Sequence, residues 1–203
     1  MNLPISSVSG FLHHPLAAQR LRISARSAYA SGTVAAVGVP LLIAMYAVIF
    51  RYGPRHPAIE RFGIPNDVCV LAQYALAIPV ALALHRHNRA TAPRLSVTVT
   101  TLGIGAMTSI VVLQAMLIAG VIPFEEQVVY VSIAMLILAI WFLVVGRLGR
   151  SSGLLSGRTT LVSLLGASYF GYPVWAFWMG RQLASRESLD PGAGDPSGSV
   201  PRV

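Results

Sequence analysis

The 203-residue chain contains no lysine; its fifteen cationic side chains are all arginine. Charged residues of both signs make up 11% of it, less than half of the roughly 25% usual in a globular domain. So few charges cannot cover a solvated surface, and they exclude a soluble domain, a disordered chain and a coiled coil alike. Cysteine occurs once, at Cys69, which rules out an intrachain disulfide framework. The histidines (His13, His14, His56, His85 and His87) form no His-Glu-x-x-His motif, and one cysteine allows no Cys-x-x-Cys pair. No metal site is expected from these spacings. Walker, dinucleotide-binding and nucleophile-elbow motifs are missing too, so the sequence names no catalytic residue and no cofactor.

What is abundant is apolar. Hydrophobic residues make up 55% of the chain and its mean hydropathy is +0.66. They fall in blocks of about 20, the number of helical residues that crosses a hydrocarbon core. Five such blocks have charge-free interiors: Tyr29–Phe50, Val68–Leu84, Leu95–Ile122, Gln127–Val145 and Thr160–Met179. Continuous apolar runs imply helices, since barrel strands alternate with period two. The fold class expected is therefore all-α, an integral membrane helical bundle with five transmembrane helices over residues 29–180. Residues 1–28 precede it as a cytoplasmic segment. Within them Pro15 to Ser27 reads either as a surface-lying helix or as a flexible arm. Pro, Gly and Ser dominate the end of the chain, and a disordered tail is expected over 181–203.

Charge orients the bundle. With five crossings, the N-terminus and the loops at 85–94 and 146–159 share a side that holds nine arginines and no acid. The other side holds six arginines and all seven acids. The positive-inside rule then places the N-terminus in the cytoplasm and the C-terminus outside. Arginine without lysine suits a GC-rich bacterial genome, hence a bacterial cytoplasmic membrane. Basic residues spread thinly over loops suit anionic headgroups rather than nucleic acid, which is not expected as a partner.

Polar groups at membrane depth are costly, so they mark the candidate site. Gln73 and Gln114 fall at matching depth on antiparallel helices, where they could bond each other or line a cavity. Around the same outer rim come Asn66, Asp67, Glu125, Glu126, Gln127 and Tyr130, with Tyr172, Trp175 and Trp178 from the fifth block. The candidate ligand-binding residues are thus Asp67, Gln73, Gln114, Glu125, Glu126, Tyr130, Tyr172 and Trp175. Each also has a plainer role: acids in first turns complement helix dipoles, and tryptophans populate the interfacial belt. Glu125 and Glu126 diverge by about 100° on a helix, which argues against a two-carboxylate mechanism. Close helix packing is expected at Gly32-x-x-x-Ala36, Thr101-x-x-x-Gly105 and Ala167-x-x-x-Gly171. Pro40, Pro79 and Pro173 should kink three spans.

These features favour a non-enzymatic membrane protein: an accessory or scaffold subunit, or a bundle that binds a lipid or small molecule. Its expected partners are membrane lipids, with a membrane-protein partner or a second copy of itself. A transporter or channel using the outer pocket is the second reading, and an enzyme acting on a lipid or isoprenoid there is the third.

Overall fold

The computed structural model describes residues 15–53, 55–152, 162–163 and 166–187. Most of the expected tail, the first residues of the N-terminal segment and the link after α4 lie outside them. The described chain is all-helical: α1 (Pro15–Tyr52), α2 (Ala58–Asn88), α3 (Pro93–Ile118), α4 (Phe124–Ser151) and α5 (Tyr172–Glu187). Among the described residues, four helices, α1 to α4, are long and apolar enough to cross a membrane. They contain or closely match the first four apolar blocks.

Short links make α1 to α4 antiparallel neighbours, and each link has a local cause. Gly53 and Gly120 have φ of +86° and +69°, a region nearly closed to other residues. After α3, Val121 N donates to Met116 O at 2.8 Å and Gly120 N to Leu117 O at 3.0 Å, a Schellman-type termination. At the opposite end, Ser96 Oγ lies 2.9 Å from His85 Nδ1 and donates to the His85 carbonyl at 3.3 Å, clasping α2 to α3. Nearby, Ser152 Oγ donates to Asn88 Oδ1 at 3.2 Å and ties α4 to α2.

Two features differ from expectation. First, α1 runs unbroken from Pro15, so the stretch before Tyr29 is part of the first helix. At 1.5 Å per residue its 38 residues extend about 57 Å, nearly twice the hydrocarbon thickness. Second, the block Thr160–Met179 is not one helix, because the chain turns at Ala167–Gly171. Gly171 N donates to Ser168 Oγ at 3.0 Å and Tyr172 N to the Ser168 carbonyl at 3.0 Å. Ser168 thus closes the turn that leads into the new helix, whose first bond runs from Trp175 N to the Gly171 carbonyl at 3.1 Å. Pro173 falls in the first turn of α5, where its missing N–H costs nothing; it starts a helix and does not kink a span. Pro40 and Pro79, by contrast, do lie inside helices.

The positions on either side of this turn trace a hairpin. Ser163 meets Gly146, Gly166 meets Phe142, and Tyr169 reaches Gly38 and Asn66. The chain then comes back along α1: Ala176 lies against Gly32 and Tyr29 against Gly180. Helix α5 is therefore antiparallel to α1 and ends beside its start. Among the described residues the chain begins and ends at the same end of the bundle, where five crossings would separate those ends. Helix α5 also continues past residue 181, to Glu187.

The core lies where α2, α4 and α5 meet. Trp141, Phe142, Tyr172 and Trp175 are each at most 2% exposed. They pack edge to face, with Phe142 and Trp175 centroids 4.7 Å apart at 86°. Such pairs add about 0.5–1.5 kcal/mol each beyond burial. Large apolar residues on the outer faces, among them Leu102, Leu136 and Phe50, are exposed, as lipid-facing positions are.

Candidate functional site

A cleft of about 1070 Å³ opens at the end of the bundle formed by the C-termini of α1 and α3 and the N-termini of α2 and α4. Its walls are apolar, from Leu42 and Met45 of α1, Ile64 and Val70 of α2, Leu117 of α3 and Val131 of α4. Helices α1 and α4 face each other across it and are not packed together. This is the end of the bundle at which the sequence predicted an outer pocket.

Of the eight candidate residues, the cleft gathers Asp67, Gln114 and Glu125. Gln114 is 4% exposed and its Oε1 has no hydrogen-bond partner. A buried amide oxygen left unpaired costs about 1–3 kcal/mol, so this atom calls for a donor. Glu126 and Tyr130 are exposed and lie outside the walls. They follow Glu125 on α4 but project from other faces of the helix.

Gln73, Tyr172 and Trp175 belong to the core instead. Gln73 is 1% exposed, and neither Nε2 nor Oε1 has a partner. The expected Gln73–Gln114 hydrogen bond is therefore not formed, although both side chains are buried at similar depth. Tyr172 is engaged with α1: its hydroxyl lies 2.6 Å from Ser31 Oγ. Ser31 gives its only hydrogen to the Gln73 carbonyl at 2.9 Å, so the tyrosine must be the donor of the pair. Trp175 is stacked among the core aromatics.

Several cleft residues gain their role only from the fold. Tyr169, carried in by the turn before α5, donates to Asn66 Oδ1 at 2.7 Å. Gly38 makes room, since a Cβ there would stand 3.0 Å from the Tyr169 hydroxyl. Tyr74, 2% exposed, donates to Met135 Sδ at 3.1 Å. Arg55, His56 and Glu60 line the mouth. A polar tip in an apolar segment needs a partner, and that was the available signal for Tyr74 and Tyr169.

Among the described residues no three His, Cys, Asp or Glu side chains come together as a metal-binding group. Comparison with known proteins gives no match to a family model, a curated protein or a solved structure.

Proposed function

We propose that this chain is an integral membrane protein that binds a membrane-borne amphiphile in the cleft between α1 and α4. The carrying observation is a cavity with apolar walls, one of whose lining residues, Gln114, keeps a buried side-chain oxygen without a partner. Ligand sites are commonly mostly apolar pockets of about 300–1,000 Å³ with a few convergent polar groups, and this cleft has that character. Accessory or scaffold roles need no cavity of this kind, whereas a bound amphiphile does.

The reading includes a topology. Helices α1 to α4 cross the bacterial cytoplasmic membrane, and the segment from Ser163 through α5 enters and returns without crossing. Arg181 then joins Arg20, Arg22 and Arg26 at one end of the bundle, with the arginines that end α2 and α4. That arrangement sharpens the positive-inside asymmetry relative to five crossings, and puts the start of α1 and the end of α5 on the cytoplasmic side.

Native mass spectrometry of the full chain, extracted in a mild detergent, tests the binding. The expected result is a stoichiometric lipid or other amphiphile that is lost in Val131→Trp, a variant that fills the cleft. A stoichiometric protein partner with an empty cleft would instead establish the accessory-subunit reading.

A further inference from the structure

We propose that the cleft measures the alkyl chain of its amphiphile, with Tyr74 and Met135 as the stop at its inner end; this rests on the cleft-binding reading above. The cleft opens sideways. Its rim residues Tyr46 on α1 and Val128 on α4 are exposed, whereas Val70, Tyr74 and Gln114 on the back wall are buried. A chain in the surrounding lipid can therefore enter between α1 and α4 without parting a packed helix pair.

The inner end is closed. Tyr74 and Met135 are the innermost lining residues of α2 and α4. The Tyr74 hydroxyl donates to Met135 Sδ at 3.1 Å and so joins the two helices across the end of the cleft. Behind the Tyr74 ring stands Tyr172, 1% exposed, with centroids 5.9 Å apart. On the α1 side Tyr169 blocks the way past Leu42, since its hydroxyl stands 3.0 Å from a Cβ built on Gly38. About one turn further in, Ala77 and Leu138 are each at most 1% exposed. Close-packed side chains of this kind do not yield to an extra methylene without cost.

Charged residues mark the other end, Glu60 on α2 and Glu125 on α4, with Arg55 and His56 in the link between α1 and α2. At 1.5 Å per residue, Glu60 to Tyr74 spans about 21 Å and Glu125 to Met135 about 15 Å. That is the depth of about one leaflet, half of a hydrocarbon core of about 30 Å. An extended alkyl chain advances about 1.25 Å per carbon, from C–C bonds of about 1.52 Å at about 111°. A chain of about 12 to 17 carbons therefore fills the cleft. Shorter chains leave apolar wall uncovered, and each added methylene gains the free energy of its burial. Longer ones meet Tyr74 and Met135, and the gain stops. Such a chain is available on a single-chain amphiphile or on one arm of a diacyl lipid.

The test is calorimetric titration of the full chain, held in an amphipathic polymer, with monoacyl phosphocholines that share one headgroup. Their chains run from about 8 to about 18 carbons, which brackets the cleft, and each is added below its micelle concentration. Affinity is expected to rise about fourfold per methylene and then level off or fall at a break between about 12 and 17 carbons. Met135→Ala removes three heavy atoms of an unbranched side chain and should move the break up by about three carbons. The series on the unaltered chain needs no variant, so a misfolded Met135→Ala would not decide it. An unmoved break in a folded Met135→Ala would overturn the stop. An unbroken rise to the longest chain, abolished by Val131→Trp or by Leu42→Trp on the opposite wall, would also overturn it and leave the cleft reading standing. Binding of none, or binding indifferent to both tryptophan variants, would overturn both readings. The mass of the amphiphile that copurifies with the full chain separates the sources, since it shows one chain or two.

Discussion

The Tyr172 hydroxyl sits 2.6 Å from Ser31 Oγ, and Ser31 in turn bonds the Gln73 carbonyl at 2.9 Å. Three helices are joined by this one relay, because Tyr172 begins α5, Ser31 lies in α1 and Gln73 in α2. Its two ends are not equivalent. Ser31→Ala leaves the Tyr172 hydroxyl, which is 1% exposed, as a buried donor with nothing to accept it. Tyr172→Phe removes that donor and leaves Ser31 still bonded to the carbonyl. The expected cost is about 1–3 kcal/mol for Ser31→Ala and about 1 kcal/mol or less for Tyr172→Phe, in line with single hydrogen bonds in membrane bundles. The double variant should cost less than the sum. Thermal unfolding in detergent measures all three, and a larger loss from Tyr172→Phe would contradict the donor assignment.

Two glycines of α3, two residues apart, should behave oppositely. A Cβ on Gly103 would overlap the Trp141 indole, whereas a Cβ on Gly105 meets nothing within 4 Å. Gly103→Ala forces backbone or ring displacement and is expected to cost about 1–3 kcal/mol. Gly105→Ala lies on an exposed helix face and should stabilise by up to about 1 kcal/mol through helix propensity. Trp141→Leu should rescue much of the Gly103→Ala loss, since it removes the obstructing ring. Denaturant titrations of the two glycine variants suffice, and equal effects would refute the packing.

That pair also shows where the sequence was legible. Continuous apolar runs located α1 to α4 because membrane crossing demands length and the absence of charge, both readable from single residues. The shared end of the bundle for Asp67, Gln114 and Glu125 followed from the same count along antiparallel helices. Which face of a helix meets a neighbour depends on rotation, and hydropathy carries little of that. Hence Thr101-x-x-x-Gly105 was expected at an interface that Gly103 in fact makes, while Gly32, read as a packing residue, does meet Ala176 with 3.1 Å to its built Cβ. The turn before α5 escaped notice because Ser168, Tyr169, Phe170 and Gly171 carry no charge, so a hydropathy window runs through them. Its signal was a serine three residues before a glycine, with Pro173 following: a helix start inside an apparent span.

The return of α5 toward the start of α1 predicts a labelling pattern. With Cys69 replaced by serine, single cysteines at Gln19, Val121 and Arg181 occupy exposed positions. A membrane-impermeant maleimide added to intact cells should modify Val121→Cys alone. Gln19→Cys and Arg181→Cys should react only after the membrane is permeabilised. Labelling of Arg181→Cys from outside would restore a fifth crossing and reject the re-entrant segment.

The two buried glutamines permit a final separation of stability from binding. Gln73 has both amide atoms unpartnered and lies outside the cleft walls, while Gln114 lines the cleft with Oε1 unpartnered. Replacing an unsatisfied amide with an apolar side chain of similar volume removes a desolvation cost of about 1–3 kcal/mol. Gln73→Met and Gln114→Met should therefore both raise the unfolding midpoint of the ligand-free protein. Only Gln114→Met should lose ligand, because of the two glutamines only Gln114 lines the cleft. Measuring unfolding with and without the amphiphile that native mass spectrometry finds bound distinguishes the two positions. The added amphiphile should raise the midpoint of Gln73→Met as it does that of the unaltered chain, and have little effect on Gln114→Met. A ligand-dependent rise that survives in Gln114→Met would remove this residue from the site.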